Sequence, residues 1–488
     1  MRTTTGARWS RPLRRHALSR VALVVALVVV LISGGVAGTG CATVRATFAG
    51  YSTGPNGIAT PQHRFRRALM DGNFVKVFAW REDDALLRSL TTGAAAFYAK
   101  QYARSAAVLD TAALLADDRI TASLSRNGLA LVTNDLARPY QARRTERLFI
   151  PYYAMLAYVQ IGAWEDAAVE ARRVVSLLAQ YGEDRQAGER DVHGAMQHLA
   201  GAVFERTGAL DDARVAYRAA HALRAALPAA SAGRPGASDG ELLLVVERGF
   251  VAHRTTETFD AYIGGSDRDS LRLAGDGHRR AVSRIAQRAG AGGTHGRNAT
   301  SLLSSVSPSF GDRSRHDEYR DDDENDRDYH VTVAYPALRR SPRPWGGALR
   351  LAVDDSVVDA SEVSSVIDDA SAADADRERA GIAVRAVARA VAKYAVTKVV
   401  EDKTGKVMGT IANIGGALLE RADVRSWHVL PQEITLLRVR VPAGTRAVRV
   451  QAGDGWAVRT VEIGNLVVRP GELTIMPVRL WRDPPAPR

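Results

Sequence analysis

The spacing of apolar positions changes several times along the chain, and each change predicts a different kind of structure. Val21 to Ile32 is an unbroken apolar run of twelve residues. From about 61 to 228 the apolar positions recur at helical spacing, with abundant alanine and few breakers. Glu241-Leu-Leu-Leu-Val-Val-Glu247, Val331-Thr-Val-Ala-Tyr335 and Ala348-Leu-Arg-Leu-Ala-Val353 read as strands. A helix is predicted from about Asp374 to Val400, with Asp374, Asp376 and Glu378 suiting its positive N-terminal end. After Ile434 the period becomes two. Ile434–Val441 and Arg446–Val450 flank Pro442-Ala-Gly444 and predict a hairpin. Trp456–Ile463, Leu466–Arg469 and Leu473–Leu480 continue the pattern, at a spacing that suggests a small β-sandwich.

The helical region is repetitive. Gly201, Phe204, Gly208, Ala213, Tyr217 and Ala220 fit the tetratricopeptide template in register. Tyr158, Gly162, Trp164 and Ala167 form a second copy, and Gly93, Tyr102 and Ala112 a weaker third. Small residues let the two helices of a hairpin approach, and aromatics fill the gaps between hairpins. The copies are 62 and 46 residues apart rather than evenly spaced, so extra helices are expected around 116–148. The expected fold class is α+β multidomain: an N-terminal all-α tetratricopeptide-like solenoid, then a mixed domain ending in a small β-sandwich. In that register the concave face presents Phe149, Tyr152, Leu156, His198, Glu205 and Arg206 as a partner-binding surface.

Charge and cysteine content add an address. The net charge is +12, but residues 1–40 contribute six arginines and no acid, which leaves the rest only mildly basic. No basic stripe with interleaved aromatics is present, so no nucleic-acid partner is expected. The basic stretch ending at Arg20, the apolar run and the small residues from Ser33 to Gly40 make a secretory signal. The sole cysteine, Cys41, follows directly, where a lipoprotein signal places its lipidation site. Gly38 stands where Leu is usual in such a signal, and the alternative is an uncleaved anchor spanning Val21 to Gly40. The expected segments are a signal peptide (1–40), a tether (41–60), the helical domain (61–228), and a linker with the first strand of the C-terminal domain (229–263). A disordered insertion (264–328) and the mixed domain (329–482) follow. The address implies a membrane held through the lipid anchor, with the outer membrane, facing the periplasm, as the expected location.

Candidate chemistry is sparse. The acidic run Asp321–Asp328 lacks the Gly and the final Glu of a calcium loop and reads as solvated. Arg385, Arg389 and Lys393 form one basic stripe, read as the solvated edge of a helix packed on a sheet. His193 and His198 fall on different helix faces, and no H-E-x-x-H, G-x-S-x-G or P-loop occurs. No cofactor and no metal are expected. Asp423, Arg425, Ser426, Trp427 and His428 are the one dense polar-aromatic cluster. It is read first as a strand entry and second as a ligand corner formed by Asp423, Arg425, Trp427 and His428.

Several stretches carry a resemblance. They are Thr145-Glu146-Arg147 leading into Ala157-Tyr158, Val169-Glu-Ala-Arg-Arg173, Gly240–Gly249, Ile382–Arg389 with Lys393-Tyr394, and Ala422–Pro431. Through them the chain resembles a family of tetratricopeptide-type bacterial lipoproteins of unestablished activity. The resemblance implies a lipid-anchored envelope protein and supplies no catalytic residue. The functional expectation is a non-enzymatic periplasmic scaffold or adaptor that binds envelope proteins and, through its β-domain, a second partner or the cell wall. The alternative is a lipoprotein that binds or hydrolyses cell wall or polysaccharide.

Overall fold

The computed structural model describes residues 61–125, 138–223, 238–263, 329–340, 349–378, 382, 422–452 and 459–481. From Phe65 onward they belong to one compact unit. The class is α+β. The signal segment, Cys41, the tether, most of the 229–238 linker, the 264–328 insertion and the basic stripe lie outside the described residues.

The helices are α1 (Pro61–Met70), α2 (Phe74–Phe78), α3 (Ala85–Tyr98), α4 (Tyr102–Ser125), α5 (Arg144–Ile161), α6 (Trp164–Tyr181), α7 (Arg190–Thr207) and α8 (Leu210–Ala222). From α3 to α8 each packs on the next, as a row of antiparallel hairpins. The turns repeat. Gly162 ends α5 and Gly208 ends α7, both at positive φ (78° and 81°), where a glycine has no Cβ to clash. In each turn the following alanine N–H donates back into the helix, Ala163 to the Tyr158 carbonyl and Ala209 to the Phe204 carbonyl. The α3–α4 turn puts Lys100 in the same conformation. A methyl group at Gly201 would lie 2.8 Å from the Tyr217 ring, and one at Gly93 would lie 2.7 Å from Leu109. The small template positions therefore sit where one helix of a hairpin crosses the other.

The inner and outer helices differ in how they are buried. α5 and α7 are buried nearly all round, as helices with a partner on every side must be. α6 buries one stripe, including Ala167, Ala171, Val174 and Leu178, and α8 buries Ala213, Ala216 and Ala220.

The strands are β1 (Asp239–Arg248), β2 (His253–Ile263), β3 (Tyr329–Arg339), β4 (Leu349–Val353), β5 (Ser356–Val358), β6 (Ser361–Val366), β7 (Glu433–Pro442), β8 (Gly444–Ala452), β9 (Arg459–Val468) and β10 (Leu473–Leu480). Among the described residues they form a first sheet in the order β10-β1-β7-β6, a second in the order β5-β4-β8-β9, and a β2–β3 ribbon. β1 runs parallel to β10 and antiparallel to β7. Ile263 pairs with Tyr329, so the two ends of the 264–328 segment lie opposite each other.

The first sheet is covered on both faces. Leu242, Leu244, Val246, Leu437, Val439, Val441 and Val478 share a core with Leu349, Leu351, Val448, Val450 and Leu466 of the second sheet. Leu243, Val245, Ile434, Leu436, Leu473 and Ile475 face the other way and share the core of the helices. Burial on both faces explains why β1 reads as a continuous apolar run.

Three expectations change. Pro442-Ala-Gly444 does not close a hairpin: β7 lies in the first sheet and β8 in the second, so the turn carries the chain from one sheet to the other. Gly444, at φ 126°, makes the corner. The predicted 456–463 and 466–469 strands are one strand, β9, with a register shift opposite Val448/Arg449. The helix expected from Asp374 begins earlier, at residue 367, directly after β6.

Candidate functional site

The segment from Ala422 to Gln432 has no regular secondary structure, and its polar groups are held by side chains from distant elements. The carboxylate of Asp423 accepts from the Arg425 backbone N–H at 3.0 Å and from its guanidinium at 2.7 and 2.8 Å. Arg425 also donates to the Arg138 carbonyl at 2.9 Å. Arg143 in turn donates to the Arg425 carbonyl at 3.1 Å.

The hinge of the arrangement is Glu146, at the third position of α5. Its Oε2 accepts from the Arg143 backbone N–H at 2.9 Å, closing the helix end, and from the Tyr140 hydroxyl at 2.6 Å. Its Oε1 accepts from the Trp427 backbone N–H at 2.8 Å. One buried carboxylate thus ties the start of α5 to the corner. Asp374, from helical residues 367–378, accepts from the Thr145 N–H at 2.9 Å. Burial pushes its carboxyl up to about 6.

Two arginines flank the corner. Arg143 and Arg254 each reach Glu378 at 2.9 Å, on different carboxylate oxygens. Burial opposes the charge on Glu378, but the two guanidiniums outweigh it and hold the carboxyl below its usual range. Burial and the neighbouring Arg143 lower Arg254. Around these groups lie two spaces with lining residues in common. An outer cleft of about 340 Å³ is lined by Arg138, Tyr140, Arg254, Pro336, Glu378 and Asp423, among others. An inner chamber of about 30 Å³ is lined by Thr145, Glu146, Asp374, Ser426, Trp427 and Leu430, among others. Arg143 and Arg254 line both.

The predicted ligand corner is therefore divided. Asp423 borders the cleft and Trp427 the chamber, while Arg425 braces Asp423 against residue 138. His428 turns away. It is buried edge-on against Phe65, with ring centroids 5.3 Å apart, and burial lowers its pKa.

The predicted concave groove is filled. Phe149, Tyr152, Leu156 and His198 are buried, because the inner helices pack on the first sheet. Tyr152 donates to Glu247 of β1 at 2.9 Å. Glu205 accepts from Arg438 of β7 at 3.0 Å, and Arg206 pairs with Glu472 at 2.7 Å. The helical face that periodicity marked out for a partner is covered by the chain's own strands. Among the described residues no group of three His, Cys, Asp or Glu is placed to hold a metal.

Known protein families, curated proteins and solved structures offer no match to this chain.

Sequence reasoning missed Arg143, Arg254, Asp374 and Glu378. They come from three separate stretches, none with a local motif. The one usable signal was the density of polar and aromatic residues between Asp423 and His428.

Proposed function

We propose that the chain is a non-enzymatic, lipid-anchored envelope protein, acylated at Cys41 and facing the periplasm. It serves as a scaffold or adaptor that binds an envelope protein through tetratricopeptide-type hairpins backed by a small β-sandwich. The binding surface is the outer side of the hairpin row, since the inner side is occupied by the first sheet. The observation that carries this reading is the exposure of one large apolar residue on each outer helix. Leu114 of α4 is 66% exposed, Val169 of α6 52% and Val215 of α8 53%. A groove of about 200 Å³ between α4 and α6, floored by Ile150 and Pro151 of α5, adds relief to that side. Pro151 has no N–H, so the Arg147 carbonyl lacks its usual helical donor four residues on.

Photo-crosslinking from positions 114 and 169 in intact cells tests the surface. Both positions should capture the same envelope protein, and Leu114→Glu with Val169→Glu should abolish capture without changing stability beyond about ±0.5 kcal/mol. Capture that is indifferent to these substitutions overturns the surface. For the anchor, Cys41→Ser should abolish fatty-acid labelling and release the protein into the soluble periplasmic fraction. Persistent labelling defeats it. Among the described residues no helix is long and apolar enough to cross a membrane.

A further inference from the structure

The inner chamber at the Ala422–Gln432 corner has a surplus of donors. The Trp427 indole Nε1 and the Ser426 Oγ are buried without a hydrogen-bond partner, and both residues line the chamber. Trp427 is 0% exposed and Ser426 8%. An indole N–H can only donate, so nothing but an acceptor satisfies it. Leaving such a group unpaired is unfavourable, because its lost hydration is not replaced. The chamber's own acceptors are already engaged: Glu146 by the Tyr140 hydroxyl and the Arg143 and Trp427 backbone N–H groups, and Asp374 by Thr145 and Arg377. The chamber's two basic walls, Arg143 and Arg254, both reach Glu378 at 2.9 Å, and Arg143 also pairs with Glu146 at 3.5 Å. Its volume of about 30 Å³ suits a group with two oxygens, given that one water needs about 10–15 Å³. The cleft outside, with Tyr140, Pro139 and Pro336 along it, leaves room for the body of a small molecule.

We propose that this chamber binds a carboxylate, which accepts from Trp427 Nε1 and Ser426 Oγ between the Arg143 and Arg254 guanidiniums while the rest of the ligand lies in the cleft. The site is separate from the outer helical surface and does not depend on it. Two sources share the chemistry, a free organic acid and the carboxyl end of a peptide.

The test is a titration of the full-length protein in detergent, read on the indole N–H resonance that disappears in Trp427→Phe. Propionate and acetyl-alanyl-alanine are the probes, and propionamide is the neutral control. The wild-type resonance should move downfield and saturate with at least one acid, and the amide should bind at least about tenfold more weakly. Ser426→Ala removes a donor that has no partner in the free protein, so it should melt as the wild type does while binding the acid about tenfold more weakly. Trp427→Phe, followed by calorimetry, should show the same loss. Tighter binding of the dipeptide than of propionate identifies a peptide end as the ligand, and equal affinity identifies a free acid. The proposal is overturned if neither acid gives a saturable shift, if the amide binds as well as the acids, or if Ser426→Ala binds as the wild type does. In those cases the chamber holds water.

Discussion

The two faces of β1 are built from opposite chemistries. Toward the second sheet it presents Leu242, Leu244 and Val246, which lie in an apolar core with Leu349, Leu351, Val448 and Val450. Toward the helices it presents Leu243 and Val245 framed by Glu241 and Glu247, both buried. Glu247 accepts from Tyr152 at 2.9 Å and Tyr98 at 3.0 Å, and pairs with Arg479 at 3.4 Å. Glu241 pairs with Arg438, which also reaches Glu205 and the Tyr217 hydroxyl. A dry interface resists exposure to water but tolerates sliding, because any apolar group satisfies any other. An interface with buried charge tolerates one alignment, in which each charge meets its partner. The inner helices are docked on the sheet by the second kind of contact. Their position relative to β1 and β7 is thereby specified, and the polar network sits on the face that an open solenoid would leave to a partner.

The largest expected effect breaks the polar face. Burial alone would lower Arg438, but Tyr217, Glu205 and Glu241 outweigh it and hold the guanidinium firmly charged. Arg438→Met leaves the buried Glu241 with only the more exposed Arg440, 3.6 Å away, as a counter-ion, and should cost about 3–5 kcal/mol in denaturant unfolding. Adding Glu241→Leu should recover most of that loss, since an apolar pair of similar volume often replaces a buried ion pair without penalty. If the double variant is as unstable as the single one, the network is not pairwise and Glu205 must be counted with it.

The dry face should behave differently. Leu244→Ala leaves a cavity between the sheets and should cost about 3 kcal/mol. No second substitution across the sheet should restore it unless that substitution refills the volume. Recovery through a charge change would show that the two faces are not as distinct as their chemistry makes them.

This contrast also explains what could be read in the sequence. The run from Leu242 to Val246 announced a strand, and the alternation of Ile434–Val441 placed Arg438 on one face and Leu437 on the other. Hairpin turns were legible in Gly162 and Gly208, because only the left-handed conformation there requires glycine. Pairings across long separations were not. Arg438 lies 197 residues from Glu241, and no periodicity links them. Tyr152 and His198 were marked by their spacing as one face of the inner helices. Spacing identifies a face but not its cover, so a buried docking surface and an open groove read alike. The turn at Pro442-Ala-Gly444 misled for a related reason, because turn residues encode a reversal of direction and say nothing of which sheet receives the next strand. At the corner, the density of polar residues found Trp427, while Arg143, Arg254 and Asp374 arrive from elsewhere in the chain.

The smallest expected effect sharpens the comparison through pH. His198 of α7 is buried on the polar side, against Tyr217 at a ring distance of 4.9 Å, and its Nε2 has no hydrogen-bond partner. Burial, with the charge on Arg438 adding to it, depresses its pKa to about 3. The folded protein therefore keeps this imidazole neutral, while the unfolded chain protonates it near the ordinary value of about 6.5. Between those limits the unfolded state binds the extra proton, so the contribution of His198 is intact above about pH 6.5 and is lost as the pH falls toward 3. Asp374 and Glu170 act in the opposite sense over part of that range, because burial pushes each up to about 6 and the folded state then takes up their protons first. The share of His198 is isolated by comparing the wild type with His198→Gln, which keeps much of the volume and cannot titrate. Unfolding free energies measured at pH 7 and pH 5 should show the wild type losing about 2 kcal/mol more than the variant over that interval. Parallel curves for the two proteins would mean that His198 reaches solvent in the folded state and that the inner helices are not sealed against the sheet. Leu244→Ala should shift the wild-type curve downward without changing its slope, since the dry face has no proton to bind.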